Sequence, residues 1–132
     1  MLTTGLKLKS LIKYFDVSKG EDDVRIVYDA TANMLNSCVW VPSFWLPTIE
    51  SLIRALIHHS WMTDRDIADM FLNFQLAESA KPFTGVDLSP LYNEGEPIDP
   101  KWAYWDRNLM GFAASPHNSV LMALIVEEVV RG

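Results

Sequence analysis

The sequence has little cysteine, no long apolar run and no excess of basic residues. Each of these absences excludes some classes of protein or site. The single cysteine, Cys38, excludes an internal disulfide and any zinc site built from cysteines. The apolar run Val120–Val126 is too short to cross a membrane. Lys7, Lys9 and Lys13 interrupt the apolar segment that a secretory signal needs. We therefore expect an intracellular protein, cytoplasmic or nuclear, that is not secreted and has no membrane partner.

The acidic excess is confined to the centre of the chain. The formal net charge is -6, and residues 64–106 hold nine acidic side chains against three basic ones, while acids and bases balance on either side. A basic patch typical of nucleic-acid binding is missing. A nucleic-acid partner would need a metal ion, or parts of a larger protein, to offset the repulsion.

What is present is enough apolar material for a folded domain. Hydrophobic residues make up 49% of the 132 positions, with five Trp and six Phe, which argues against a disordered chain. Two strand-like runs, Tyr14–Lys19 and Val24–Asp29, flank a turn-forming segment and predict a β-hairpin. Lys19 and Arg25 lie beside its turn. They are placed to grip a triphosphate, or they are solvated cations balanced by the turn's own acids.

Helix signals occur in two later places. Pro47 opens the first, because proline is tolerated in the first turn, and apolar residues at three- and four-residue spacing predict one buried face through about His58. Ser115 as N-cap and Pro116 at the first position predict a second, buried helix that runs to about Arg131. Short strands are also predicted at Phe83–Leu88 and Trp102–Trp105. The fold class is therefore α+β.

Three carboxylates fall within six positions, at Asp64, Asp66 and Asp69. If Trp61–Thr63 approaches as an extended segment, the acids stand at a strand end before the apolar run Met70–Phe74, where a Mg²⁺ ion would offset their burial. The alternative is a helix start, with the acids as N-cap and first-turn residues that the helix dipole favours.

Of these three acids, Asp66 belongs to a longer sequence motif. Asp66 followed five positions later by Phe71 resembles the first catalytic motif of the reverse transcriptases. The segment Leu46–Ile53 is similar to the "LP-x-I-x-x-L-L" helix that precedes this motif in retrotransposon polymerases. Leu46 stands 20 positions before Asp66, which suits that family.

Two further stretches extend the resemblance over nearly the whole chain. Phe15–Lys19 and Arg25–Asp29, with Leu35-Asn36 after them, look like the fingers hairpin with its "R-x-x-x-D…LN" signature. Downstream, Leu109–Pro116 resembles the "PFGL-x-x-AP" motif, with glycine and proline at matching spacing. The order of the four motifs is that of the fingers and palm of a reverse transcriptase.

The resemblance implies a fold, an activity and partners. The fold would be a fingers hairpin and loop over residues 1–45 and a palm-like segment over residues 46–132, in one continuous unit of an incomplete right hand. The activity would be that of a retroelement RNA-directed DNA polymerase, a nucleotidyltransferase. Its partners would be a nucleic-acid template–primer and a deoxynucleoside triphosphate.

The resemblance also implies roles for individual residues. Asp66, with the backbone carbonyl of Ile67, would be the catalytic metal ligand for Mg²⁺ or Mn²⁺. Phe71 would lie under the sugar and exclude a 2′-hydroxyl. Gly111 would let the backbone approach the template–primer. The nucleotide-binding set implied is Lys19, Arg25, Ile67, Asp69, Phe71 and Gly111.

The chain departs from the family pattern in ways that limit the expected activity. The Tyr-x-Asp-Asp hairpin, which carries the family's other metal carboxylates, does not occur in this sequence, and Met110 replaces the Phe expected before Gly111. We also expect the thumb to be missing. We expect weak metal binding and no polymerisation by this polypeptide alone. A fragment or a decayed copy of a retroelement polymerase is the expected origin.

Two other classes stay open. Asp64-Arg65-Asp66 also matches the Asp-x-Asp with which nucleotide-sugar glycosyltransferases hold a metal, although no run of βαβ units accompanies it. The second is a noncatalytic protein-interaction module, in which the acids are solvated and exposed Trp side chains form the contact surface. Exposed apolar surface, for instance on the last helix, would then favour self-association.

Overall fold

Helices and antiparallel sheets are mixed along the chain, which confirms the predicted α+β class. A computed structural model describes residues 1–64 and 66–132, and Arg65 of the acidic stretch lies outside the described residues. The strands are β1 Leu2–Thr3, β2 Lys13–Ser18, β3 Val24–Asp29, β4 Gly85–Asp87 and β5 Trp102–Trp105. The helices are α1 Leu35–Cys38, α2 Ile49–Ala55 and α3 Ala114–Arg131, with 3-10 turns at Met70–Asn73, Lys81–Phe83 and Ser89–Leu91.

The predicted hairpin is confirmed. β2 and β3 pair in antiparallel register from Lys13 opposite Asp29 to Ser18 opposite Val24. At the turn the amide of Lys19 donates to the carbonyl of Asp23 at 2.7 Å. The turn-forming segment therefore closes the two strands without a break in their register.

A second sheet has the strand order β1-β5-β4. The strand predicted at Trp102–Trp105 is confirmed, and the one predicted at Phe83–Leu88 is shorter, because Lys81–Phe83 form a 3-10 turn before β4 begins. Beyond the end of β5, the amide of Leu76 donates to the carbonyl of Asp106 at 2.9 Å, and the amide of Asn108 donates to the carbonyl of Phe74 at 2.9 Å. This pairing brings the segment after Met70–Asn73 beside the segment that leads to Gly111.

The core lies where the two sheets and the start of α3 meet. Phe112 and Leu109, from the segment before α3, are buried in it, and the half-buried rings of Tyr14 and Tyr28 pack against it from the hairpin. The buried hydrophobic residues are Ile12, Ala30, Leu76, Val86, Ala103, Trp105, Leu109 and Phe112. Residues of both the first and the second half of the chain therefore share one core.

The prediction of a buried face on the first helix is wrong. α2 begins at Ile49, because Thr48 is its N-cap and accepts the amide of Ser51 at 3.2 Å, so Pro47 precedes the helix. None of the seven described residues Ile49–Ala55 is buried, and Ile49 is 78% exposed. Apolar periodicity predicts that a helix has an apolar face, but the surface that covers this face must come from elsewhere in the chain or from a partner.

The last helix differs from its prediction at the start and in its burial. α3 starts at Ala114, and Ser115 lies inside it, where its Oγ donates to the carbonyl of Leu109 at 2.8 Å instead of capping the helix. Ser115 and Ser119 are its only buried residues, so the predicted buried helix is wrong beyond the first turns. The expected exposed apolar surface is confirmed at Leu121, Met122, Leu124, Ile125, Val126, Val129 and Val130. Of the helices formed by the described residues, none combines the length and apolarity that crossing a bilayer requires.

Candidate functional site

A cavity of about 360 Å³ brings together residues from the hairpin, the Met70–Asn73 turn and the segment before Gly111. Arg25 from β3 lines it, with Asp69 and Phe71 from the turn and Met110 from the later segment. Three of the residues that the reverse transcriptase resemblance implicates in nucleotide binding, Arg25, Asp69 and Phe71, therefore share one cavity. They come from two motifs that are distant in sequence.

A single tight turn places Phe71. Asp69 has a left-handed backbone with φ of 48°, and the chain then forms the 3-10 turn, with the amide of Leu72 donating to the carbonyl of Asp69 at 2.8 Å. The side chain of Asn73 stabilises the turn, because its Nδ2 donates to the carbonyls of Ala68 and Asp69 at 3.0 and 3.2 Å. Met70, Phe71 and Leu72 are half-buried as a result.

The strand expected before this turn is not formed by the described residues. Trp61–Thr63 lies outside the described strands, and Trp61 is fully exposed. The predicted strand end at Asp66 is therefore wrong. The helix-start alternative is also wrong in its detail, since Asp69 makes no side-chain cap bond to the 3-10 turn among the described contacts. Met70, Phe71 and Leu72 line the cavity, and Leu72 also packs against the core, instead of extending a sheet.

Gly111 lies against the hairpin. Its φ is 90°, and a Cβ added there would come within 1.9 Å of the carbonyl oxygen of Tyr28. Asn36, just after the hairpin, secures the same contact. Its Nδ2 donates to the carbonyl of Gly111 at 2.9 Å, and its Oδ1 accepts the amide of Ala113 at 2.8 Å. The "LN" and "PFGL"-like motifs are thus joined directly, and Gly111 has a structural role whether or not nucleic acid lies beside it.

Aromatic rings form the inner wall of the cavity. The ring of Tyr28 meets that of Trp105 edge-on, with centroids 5.1 Å apart, and Tyr14 stands 6.1 Å from Tyr28 on the other side. Burial, and then the neighbouring Tyr14, raise the pKa of the Tyr28 phenol above its ordinary value. The phenol is therefore neutral over a wider pH range than an exposed tyrosine, and it adds no negative charge to the wall of the cavity.

The other predicted site residues lie outside this cavity. Lys19 is on the hairpin turn, where its Nζ is 3.6 Å from the carboxylate of Asp23. That pair is exposed, so it holds the lysine only weakly. Asp66 and Ile67 are exposed and precede the turn. The structure therefore brings Arg25, Asp69 and Phe71 together, places Gly111 next to them through Met110, and leaves Lys19, Asp66 and Ile67 at the periphery.

The carboxylates near the cavity do not make a complete metal site by themselves. Over residues 1–64 and 66–132, no group of three His, Cys, Asp or Glu side chains is arranged to hold a metal ion. Asp66 offers one exposed carboxylate. Mg²⁺ is commonly held by one or two carboxylates together with substrate phosphates and water. The single exposed carboxylate of Asp66 would supply one of these ligands.

Tyr28 and Trp105 are functional candidates that the sequence reasoning missed. The signal for Trp105 was available, because alternation along β5 puts Ala103 and Trp105 on one face, and both are buried. Nothing in the sequence indicated that this face would lie beside Arg25 and Phe71, since that depends on the pairing of the two sheets with the 3-10 turn.

No family model, curated protein or solved structure matches the chain. The resemblance to reverse transcriptases accordingly rests on the motifs and on where their residues lie.

Proposed function

We propose that this chain carries the nucleotide-binding half-site of a polymerase of the reverse transcriptase type, derived from a retroelement. The observation that carries the proposal is the shared cavity: Arg25, from the fingers-like hairpin, and Phe71, from the motif that begins at Asp66, line the same space. Arg25, Asp69 and Phe71 come from two motifs that are distant in sequence, while Lys19, Asp66 and Ile67 lie outside this cavity. The direct link between Asn36 and Gly111 supports the same assignment.

In this proposal each cavity residue has a task set by its chemistry. The guanidinium of Arg25 binds triphosphate oxygens, for which its planar, always charged fork is suited. The ring of Phe71 lies under the sugar and excludes a 2′-hydroxyl, and the neutral Tyr28 and Trp105 form an apolar wall behind it. Lys19, at the exposed turn, reaches the triphosphate when the hairpin moves toward it.

In this arrangement the metal ion binds together with the nucleotide. Asp66 and the carbonyl of Ile67 would ligate Mg²⁺ or Mn²⁺ together with phosphate oxygens, and the ion would supply charge neutralisation there. The acidic stretch of residues 64–106 repels a template–primer. Since no Tyr-x-Asp-Asp motif occurs in these residues, we expect nucleotide binding inside the cell and no polymerisation by this polypeptide alone.

Calorimetric titration with Mg²⁺ and a deoxynucleoside triphosphate tests the proposal. We expect Arg25→Gln to weaken nucleotide affinity by about tenfold or more, because a charge-assisted contact to phosphate is lost. Asp66→Ala should abolish the dependence of that affinity on Mg²⁺, while Asp64→Ala leaves it intact.

The matched control is Lys13→Gln, which removes a cation from the neighbouring strand but not from the cavity. Equal losses in Arg25→Gln and Lys13→Gln would mean that general charge attraction, and not the cavity, holds the nucleotide. Loss of metal dependence in both Asp64→Ala and Asp66→Ala would favour the glycosyltransferase assignment instead.

A noncatalytic interaction module is the second candidate, and the exposure of α2 favours it. Ile49, Ile53 and Ile57 are 78%, 61% and 76% exposed, and Trp61 just beyond them is 100% exposed. Ile57 and Trp61 lie beyond the end of α2 at Ala55, and exposed apolar side chains at this density favour an interaction site. The occupant that the chain itself can supply is a second copy, whose α2 or α3 offers the same apolar chemistry.

Sedimentation equilibrium tests this self-association. We expect the chain to form dimers, and Ile53→Glu to weaken dimerisation by about tenfold or more, since a charge would be buried in the contact. Leu91→Glu, at a residue that is 65% exposed and remote from α2 in sequence, is the control and should leave dimerisation unchanged. A chain that is monomeric throughout would exclude this candidate.

A further inference from the structure

A second cavity, of about 420 Å³, lies between the segment before β2, the region around α1 and the turn before β4. No residue of its lining is shared with the cavity that contains Arg25 and Phe71. Its size falls in the range of about 300–1,000 Å³ that small-molecule sites occupy. It is therefore a separate space that the proposed nucleotide half-site does not use.

The walls of this second cavity are mostly apolar. Leu35, Val39, Phe83 and Phe112 line it, and Phe112 is a buried core residue that forms part of its floor. Two polar side chains in the lining are already bonded within the protein. Ser10 Oγ donates to the carbonyl of Phe83 at 2.8 Å, and Asn33 Nδ2 donates to the carbonyl of Leu11 at 2.9 Å while its Oδ1 accepts the amide of Leu35 at 3.2 Å.

One basic residue lines this second cavity. Lys9 lines the cavity, and its Nζ lies 5.2 Å from the centroid of the Phe83 ring. The ion pairs found in the described part of the chain do not include Lys9. Its ammonium therefore has no ion-pair partner among the described residues, and most of the other residues that line the cavity are apolar.

We propose that the second cavity binds a medium-chain fatty acid. The alkyl chain lies against Leu35, Val39 and Phe83, where burial of apolar surface provides the binding free energy. The carboxylate pairs with the ammonium of Lys9 at the mouth. The combination of an apolar chamber with one uncommitted cation selects an apolar anion over a neutral or cationic molecule of the same length.

Cys38 supplies a built-in reporter, because it lines the same cavity, is exposed and is the only cysteine in the sequence. The rate at which iodoacetamide alkylates Cys38 is measured against the concentration of decanoate, kept below its micellar range. We expect decanoate to slow alkylation. Decanol and decyltrimethylammonium should protect the thiol about two- to fivefold less well at equal concentration, which corresponds to the loss of one solvent-exposed ion pair.

The deciding comparison is between two exposed lysines on the same segment. Lys9→Gln should weaken protection by decanoate by about two- to fivefold, because the exposed ammonium that pairs with the carboxylate is gone. Lys7→Gln, at a residue that does not line the cavity, should leave protection unchanged. Equal protection in Lys9→Gln, equal protection by the three decyl compounds, or no protection at all would overturn the proposal. Each of these results is independent of whether the chain binds nucleotide.

Discussion

Replacing Gly111 by alanine is expected to lower the free energy of unfolding by about 2–5 kcal/mol. Two effects combine at this position. Its φ of 90° is unfavourable for any residue with a Cβ, and the added Cβ would overlap the carbonyl oxygen of Tyr28 at 1.9 Å. That oxygen is backbone of β3, so the strand itself must move to relieve the overlap. Urea denaturation followed by Trp fluorescence measures the loss.

Gly95→Ala separates the two effects. Gly95 has nearly the same φ, 89°, but no atom lies within 4 Å of the position of an added Cβ. This variant should lose only the conformational part, about 1–2 kcal/mol. Equal losses in the two variants would show that the close approach between Gly111 and the hairpin contributes nothing, and the junction described between the two motifs would be wrong.

Asn36→Ala has the second largest expected effect, a loss of about 2–4 kcal/mol in the free energy of unfolding. The side chain of Asn36 makes three hydrogen bonds, to Thr31 Oγ1, to the carbonyl of Gly111 and from the amide of Ala113, at 2.9, 2.9 and 2.8 Å. Alanine would leave the last two backbone groups without these partners at the junction between the hairpin and α3.

Asn118→Ala is the matched control, since among the described residues the Asn118 side chain makes a single hydrogen bond, to the ring of His117 at 3.4 Å. It should change the free energy of unfolding by less than about 1 kcal/mol. If Asn36→Ala proves as mild as this control, Asn36 does not hold the two segments together. Asn36→Asp preserves the shape of the side chain, so it should keep the hydrogen bond from the amide of Ala113 but lose the two donated bonds. Its loss in the free energy of unfolding should lie between those of Asn36→Ala and Asn118→Ala.

Local signals were sufficient where an element is defined by its own residues. The hairpin was predictable because strand formers on both sides of Gly20–Asp23 agree with the turn chemistry, and β5 because Trp102–Trp105 combines aromatic residues with alternation. The end of α3 at Arg131 was also predicted correctly.

Predictions failed where burial depends on distant parts of the chain. The apolar periodicity of α2 is real, yet Ile49 and Ile53 are exposed, because the described part of the chain provides no covering surface for them. Ser115 has the residue type of an N-cap, but its hydroxyl is bonded to the carbonyl of Leu109 inside the helix. Ser and Thr hydroxyls can bond to a nearby backbone carbonyl instead of capping a helix, and the residue type alone does not tell which of the two occurs.

In the candidate site as well, the residues of local motifs were named from the sequence, and those placed by long-range packing were not. The resemblance to reverse transcriptases implicates Arg25, Asp69 and Phe71 in nucleotide binding, and these three residues line one cavity. Tyr28 and Trp105 were missed, because their place in the wall depends on how the hairpin packs on the second sheet. Asp66 was expected at a strand end, whereas it is exposed before a left-handed turn at Asp69.

The most direct test of the nucleotide half-site is to map the amide chemical shifts of the chain during titration with Mg²⁺ and a deoxynucleoside triphosphate. The account predicts that shifts concentrate at Arg25, Asp69, Phe71 and Met110, extend to Asp66 only when the metal is present, and disappear in Arg25→Gln. Shifts confined to α2 and α3, or no shifts in a folded chain, would contradict it. The resemblance would then describe ancestry alone, and the interaction-module candidate would take its place.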